Sequence, residues 1–149
     1  MRVGSERRMR VFGILRQIDD LWHDIDDLVI EVQEYRDKAV NTAARPTDSM
    51  RVRERADAAR LNVVEQYIQA ETEKLAKKQE QLQERINWLR GYLDQMSSRT
   101  ERNVLSQRYI MHRHPKAIAE ALGYSESHVY KLIASAEKSL ATLVKDDSE

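Results

Sequence analysis

The sequence predicts an all-α protein: a long antiparallel helical hairpin of coiled-coil character, followed by a C-terminal helix-turn-helix domain. Three observations carry that expectation. Among 149 residues only four are Gly and two are Pro, too few turn-formers for the many short strands of an all-β fold. Long stretches are dominated by Ala, Leu, Glu, Gln, Lys and Arg, side chains that lose little freedom in a helix. Apolar residues also recur at alternating steps of three and four through much of the N-terminal half, the spacing of a heptad seam.

The first helix starts its seam at Val11 and continues through Ile14, Ile18, Leu21, Ile25, Leu28, Val32 and Tyr35. A second seam runs from Leu61 through Val64 or Glu65, Ile68, Thr72, Leu75, Gln79, Leu82, Ile86, Leu89 and Leu93 to Met96, with Thr72 and Gln79 as polar interruptions. Between them, at about 41–49, Pro46 breaks any continuous helix, and Asp48 or Ser49 is suited to cap the next one. Two such helices with a short connection fold back on each other most simply. Counting outward from the loop pairs Val32 with Leu61, Ile25 with Ile68, Ile18 with Leu75 and Val11 with Leu82. That register leaves Leu89, Leu93 and Met96 beyond the first helix, needing a cover from the C-terminal domain or a second subunit. The expected stalk and self-association seam therefore includes Ile14, Ile18, Leu21, Ile25, Leu75, Leu82, Leu89 and Leu93, within a stalk spanning 1–97.

The C-terminal domain is expected over 98–145, with an acidic tail at 146–149. Ser98-Arg99-Thr100-Glu101 matches a capping box, starting a helix at Arg99 that runs to about His112. Pro115 suits a first helical position, and a short helix Lys116–Leu122 ends at Gly123, which supplies the positive φ of a tight exit. Ser125 caps a last helix running from Glu126 to Leu143. Ile118, Ala119, Leu122, Tyr124, Val129 and Leu132 around the Gly turn form the apolar set of a helix-turn-helix.

Charge supports a polyanion at that end. The formal net charge is zero, but 98–145 holds eight Lys and Arg against four acids, a net +4. Residues 17–37 hold eight acids and one Arg, a net −7, read as a solvated acidic face. On the last helix Val129, Leu132, Ile133, Ala136, Leu140 and Leu143 mark the buried stripe. The opposite face presents Glu126, Ser127, Tyr130, Lys131, Ser135 and Lys138. Lys131 can donate to guanine edges and Glu126 can accept from cytosine. Arg113, His114, Lys116 and Lys138 are placed to grip phosphates.

The runs Leu105-Ser-Gln-Arg-Tyr-Ile-Met-His, Ala117-Ile-Ala-Glu-Ala-Leu-Gly-Tyr-Ser and His128-Val-Tyr-Lys-Leu resemble the fourth region of bacterial sigma factors, which reads a promoter element through its last helix. The layout is similar to phage transcriptional regulators of the ArpU/RinA-like group. The specific part of the match covers roughly residues 99–143. The resemblance implies base-facing roles for Glu126, Ser127, Tyr130, Lys131 and Ser135, although this last helix carries no Arg.

Other functions find less support. No Cys is present, so there is no disulfide framework or thiolate metal site. His112 and His114 would point apart on one helix and have no completing ligand set, so no metal is expected. The four Gly form no phosphate loop, no serine elbow is present, and no catalytic residue or cofactor is expected. No apolar run approaches the roughly 20 residues that span a bilayer, which suits a soluble cytoplasmic chain. The expected function is a phage or prophage sequence-specific transcriptional regulator binding double-stranded DNA, with the coiled coil serving homodimerisation or RNA polymerase contact. Two alternatives stand beside it: a small terminase-like packaging subunit, and an adaptor that binds RNA polymerase without DNA.

Overall fold

The computed structural model describes residues 2–43 and 50–147 and is all-helical, with no strand among the described residues. Two long helices come first, α1 (Arg2–Ala43) and α2 (Met50–Leu93). Three shorter ones follow: α3 (Arg99–Leu105), α4 (Pro115–Leu122) and α5 (Glu126–Asp147), with a π-helical turn at Ser106–Ile110 after α3. Pro46 and the caps expected at Asp48 or Ser49 lie outside the described residues.

The chain divides into two compact units, Met1–Trp22 with Gln81–Glu149, and His23–Glu80. Each contains part of both long helices. In the His23–Glu80 unit, Lys78 Nζ lies 3.3 Å from Asp24 Oδ2, and the Tyr35 and Tyr67 rings lie 4.3 Å apart. The α1 and α2 segments of this unit therefore run in opposite directions. Ile25 and Val32 form its buried α1 stripe. Asp24, Asp26 and Asp27 are exposed, as a solvated acidic face requires.

The helix register differs from the one counted outward from the loop. Asp24–Lys78 and Tyr35–Tyr67 each sum to 102, whereas the loop-based pairs sum to 93. Within the larger unit, Gln17 accepts a 2.8 Å hydrogen bond from Arg85 Nε, and these two numbers also sum to 102. A shift of nine positions is about 13 Å along a helix axis. Counting from the loop assumes that the connection contributes equally to both helices, and a loop does not enforce that. Thr72 and Gln79, expected in the seam, are exposed, and the Thr72 hydroxyl donates back to the Ile68 carbonyl.

In the larger unit Val11, Leu15, Ile18 and Leu21 are buried along α1, with Ile14 half-buried. Leu82, Ile86, Leu89, Leu93 and Met96 are buried toward and beyond the end of α2. Leu89, Leu93 and Met96 are 0%, 6% and 5% exposed, so the apolar remainder left bare by the loop-based register is covered within the chain. Leu15 is buried beside the expected seam because α1 presents a stripe wider than a strict heptad line.

The helix expected from Arg99 to His112 is shorter. α3 ends at Leu105, and the π turn carries the chain to Ile110. Met111 N–H donates to Ser106 O and Arg113 N–H to Gln107 O, bonds longer in sequence than the α-helical step. His112 then takes φ 52°, a left-handed conformation uncommon outside Gly, so neither His112 nor His114 stands inside a helix. At the other end α5 extends to Asp147, four residues past the expected Leu143, while 148–149 lie outside the described residues.

Candidate functional site

The C-terminal elements are built around local caps. Ser98 Oγ accepts from Glu101 N–H at 3.3 Å, the first half of the expected capping box. The Glu101 carboxylate does not return to Ser98; it accepts a 2.9 Å bond from the Ser135 hydroxyl of α5. Pro115 occupies the first position of α4, and His114 caps it, Nδ1 accepting from Lys116 N–H at 3.2 Å. α4 closes at Gly123 with φ 74°, and Tyr124 N–H reaches Ala119 O at 3.0 Å. Ser125 Oγ then accepts from His128 N–H at 3.2 Å to start α5.

These caps place α4 and α5 against α3 over one apolar cluster. Val104, Ile118, Ala119, Val129 and Ile133 are buried together, with Leu122 and Leu132 packed against them. Burying each of the larger side chains is worth about 1.5–3 kcal/mol. Ala119 leaves room for close approach, and Ala136 and Leu140 extend the buried α5 stripe.

The opposite face of α5 is open. Glu126, Ser127, Tyr130, Lys131, Ser135 and Lys138 are all exposed, Tyr130 by 51%. Five of these side chains point away from the core, with no hydrogen bond or ion pair to another described residue. Ser135 is the exception, because its hydroxyl is held by Glu101. Among the residues expected at phosphates, Lys116 and Lys138 are exposed, Arg113 hydrogen-bonds Gln107 Oε1 at 3.2 Å, and His114 uses Nδ1 for its cap.

A second constellation has no counterpart among the sequence-based expectations. Trp22 Nε1 donates to Tyr109 O at 2.8 Å, and the Trp22 ring stacks on His112 with centroids 5.2 Å apart and planes 5° from parallel. Asp19, expected on the solvated acidic face, pairs with Arg108 at 3.1 Å and lies 3.6 Å from His112 Nε2. Arg108 in turn sits over the Tyr109 ring, and the Tyr109 hydroxyl donates to Glu137 of α5. Burial is the main force pushing the Tyr109 phenol well above its usual range, helped by the Glu137 carboxylate that accepts its hydrogen bond. Burial likewise raises Glu137, against the opposing effect of the Tyr109 hydrogen bond and of Arg108. Partners 87 and 89 positions apart leave no local pattern from which this link could be read.

No protein-family model, curated protein or solved structure matches the chain in comparison.

Proposed function

We propose that α4 and α5 form a helix-turn-helix and that the chain is a sequence-specific, DNA-binding transcriptional regulator of the phage or prophage type. The observation that carries this reading is the outward row Glu126, Ser127, Tyr130 and Lys131 at the start of α5, held at a fixed angle by the His114 cap, the Gly123 turn and the apolar cluster beneath. A rigid helix whose N-terminal residues project from the surface suits the major groove, where such side chains reach base edges. Lys116, Arg113, His114 and Lys138 flank that row and supply the phosphate contacts that set position.

In this reading residues 98–145 are the reading head and 1–97 an antiparallel hairpin stalk, acting in the cytoplasm through self-association or RNA polymerase contact. The acidic stretch 17–37 repels duplex DNA and leaves the basic end to engage it. The reading assigns no catalytic residue and needs no cofactor. Footprinting on the DNA flanking the chain's own gene tests it: a protected site preferred over random duplex at about 150 mM salt is expected, and equal binding to any duplex overturns it.

A second reading is an adaptor that binds RNA polymerase without DNA. It draws on the exposed Met111, Tyr124 and Tyr130 and on an α5 face without Arg. Capture of polymerase with no retention of duplex favours it. A mass measurement separates the packaging alternative, since a monomer or dimer fits a regulator and a large ring fits a small terminase.

A further inference from the structure

A concave site of about 400 Å³ lies between the end of α2 and the α3–π-turn segment. Arg90 reaches it from α2, and Arg99 and Arg102 from α3. On α3 and the π turn, Arg99, Arg102, Asn103 and Ser106 stand at i, i+3, i+4 and i+7, which gathers them on one helical face. The other face carries Glu101, Val104 and Leu105, which bond to α5 or lie buried. The arginine face is therefore turned away from α5.

Three guanidiniums and one carboxylate, Asp94, line this concavity, a net charge of +2. Among the described residues none of the three arginines has a carboxylate in ion-pair contact. Gathering like charges at a concave surface costs free energy that an anion relieves, and guanidinium forks match phosphate oxygens two at a time. Asn103 and Ser106 add neutral donors. Leu93 and Ile110 supply an apolar wall beside them. The volume falls within the roughly 300–1,000 Å³ range of small-ligand sites. A single carboxylate would satisfy one guanidinium, whereas a diphosphate spans several.

We infer that this cleft is a binding site for a diphosphate-bearing ligand of nucleotide size, distinct from the α5 face and independent of what α5 reads. Pyrophosphate and ADP, titrated separately into the full chain by calorimetry, are the probes. Saturable binding of both at one site per chain is expected. Arg99→Gln with Arg102→Gln weakens each at least tenfold, and Lys131→Ala leaves both unchanged. Because Arg99 is exposed and Arg102 half-buried, the double variant is expected to keep the wild-type thermal midpoint. Should it unfold, Arg90→Gln on the other helix provides the same test. No heat from either probe at millimolar concentration, or affinities that survive in the folded arginine variants, overturns the assignment. Loss of DNA preference in Lys131→Ala with ADP binding intact keeps the two proposals separable.

Discussion

The indole Nε1 of Trp22 donates a 2.8 Å hydrogen bond to the carbonyl oxygen of Tyr109, joining α1 to the π turn. In a regular helix that carbonyl would accept from Arg113, but Arg113 N–H goes to Gln107 O instead. The π turn thus frees one acceptor, and Trp22 satisfies it. Trp22→Phe removes the donor while keeping an aromatic ring against His112. A loss of about 1–2 kcal/mol in urea-unfolding stability is expected. An unchanged midpoint would show that the bond contributes nothing.

Alkaline titration should resolve two late tyrosines among the six. Tyr67 is pushed up to about 12, first by its hydrogen bond with Tyr35, so Tyr35→Phe brings it back toward 10. Tyr109 ionises later still, and Glu137→Gln lowers it only in part because burial remains. Absorbance of the phenolate reads both.

Tyr109 and Glu137 set a pH dependence of stability. Tyr109 holds its proton more tightly when folded, so its contribution is intact below about 10, the unfolded value, and is lost as pH rises through the raised one. Glu137 is also raised, from 4.5, so its ionisation weakens the fold as pH climbs from 4.5 through the folded value. Glu137→Gln is therefore expected to gain stability relative to wild type between pH 4.5 and neutrality. Denaturant midpoints across that interval check the direction.

Gly123 and His114 test the local geometry that holds α5. A Cβ at Gly123 would meet nothing within 4 Å, so Gly123→Ala is opposed only by φ 74°, at about 1–2 kcal/mol. His114→Ala removes the cap of α4 at about 1 kcal/mol. Both should lower the thermal midpoint, and Gly123→Asn should cost less than Gly123→Ala, because Asn tolerates the left-handed region.

The register of the long helices is open to cross-linking, since the chain has no Cys of its own. Cysteines replacing Tyr35 and Tyr67 should be joined by a short bismaleimide within one chain. A pair at Tyr35 and Ala58, as the loop-based register requires, should react poorly. Products running as dimers on a denaturing gel would instead place the pairing between chains.

For the proposed DNA interface, Lys131→Ala should reduce preference for the footprinted site, and Lys116→Ala should weaken all duplexes alike. The log–log salt slope should fall by about 0.9 for each phosphate that a substitution leaves without its cation. An unchanged slope in Lys116→Ala removes that residue from the interface.

Much of the helical framework was legible because its causes are local. Gly123 ends α4, Pro115 starts it, Ser98 and Ser125 cap their helices, and the apolar steps mark which faces are buried, whereas the His114 cap of α4 was not among the expectations. Backbone sterics, capping bonds and periodicity act over a few residues, so their signatures sit side by side in the chain. The outward row on α5 was legible for the same reason, except at Ser135, whose partner Glu101 lies 34 positions away.

By itself, then, the sequence determined that the chain is helical, roughly where its helices begin and end, and which stripes they bury. Tertiary structure decided the nine-position shift in helix register, the break after Leu105 and the tie from Trp22 and Asp19 to Tyr109 and Arg108. It also gathered Arg90 with Arg99 and Arg102 in one cleft. A heptad stripe states which face is apolar but tolerates sliding along its axis. Which carbonyl loses its helical partner, and which distant donor replaces it, depends on the whole packed arrangement.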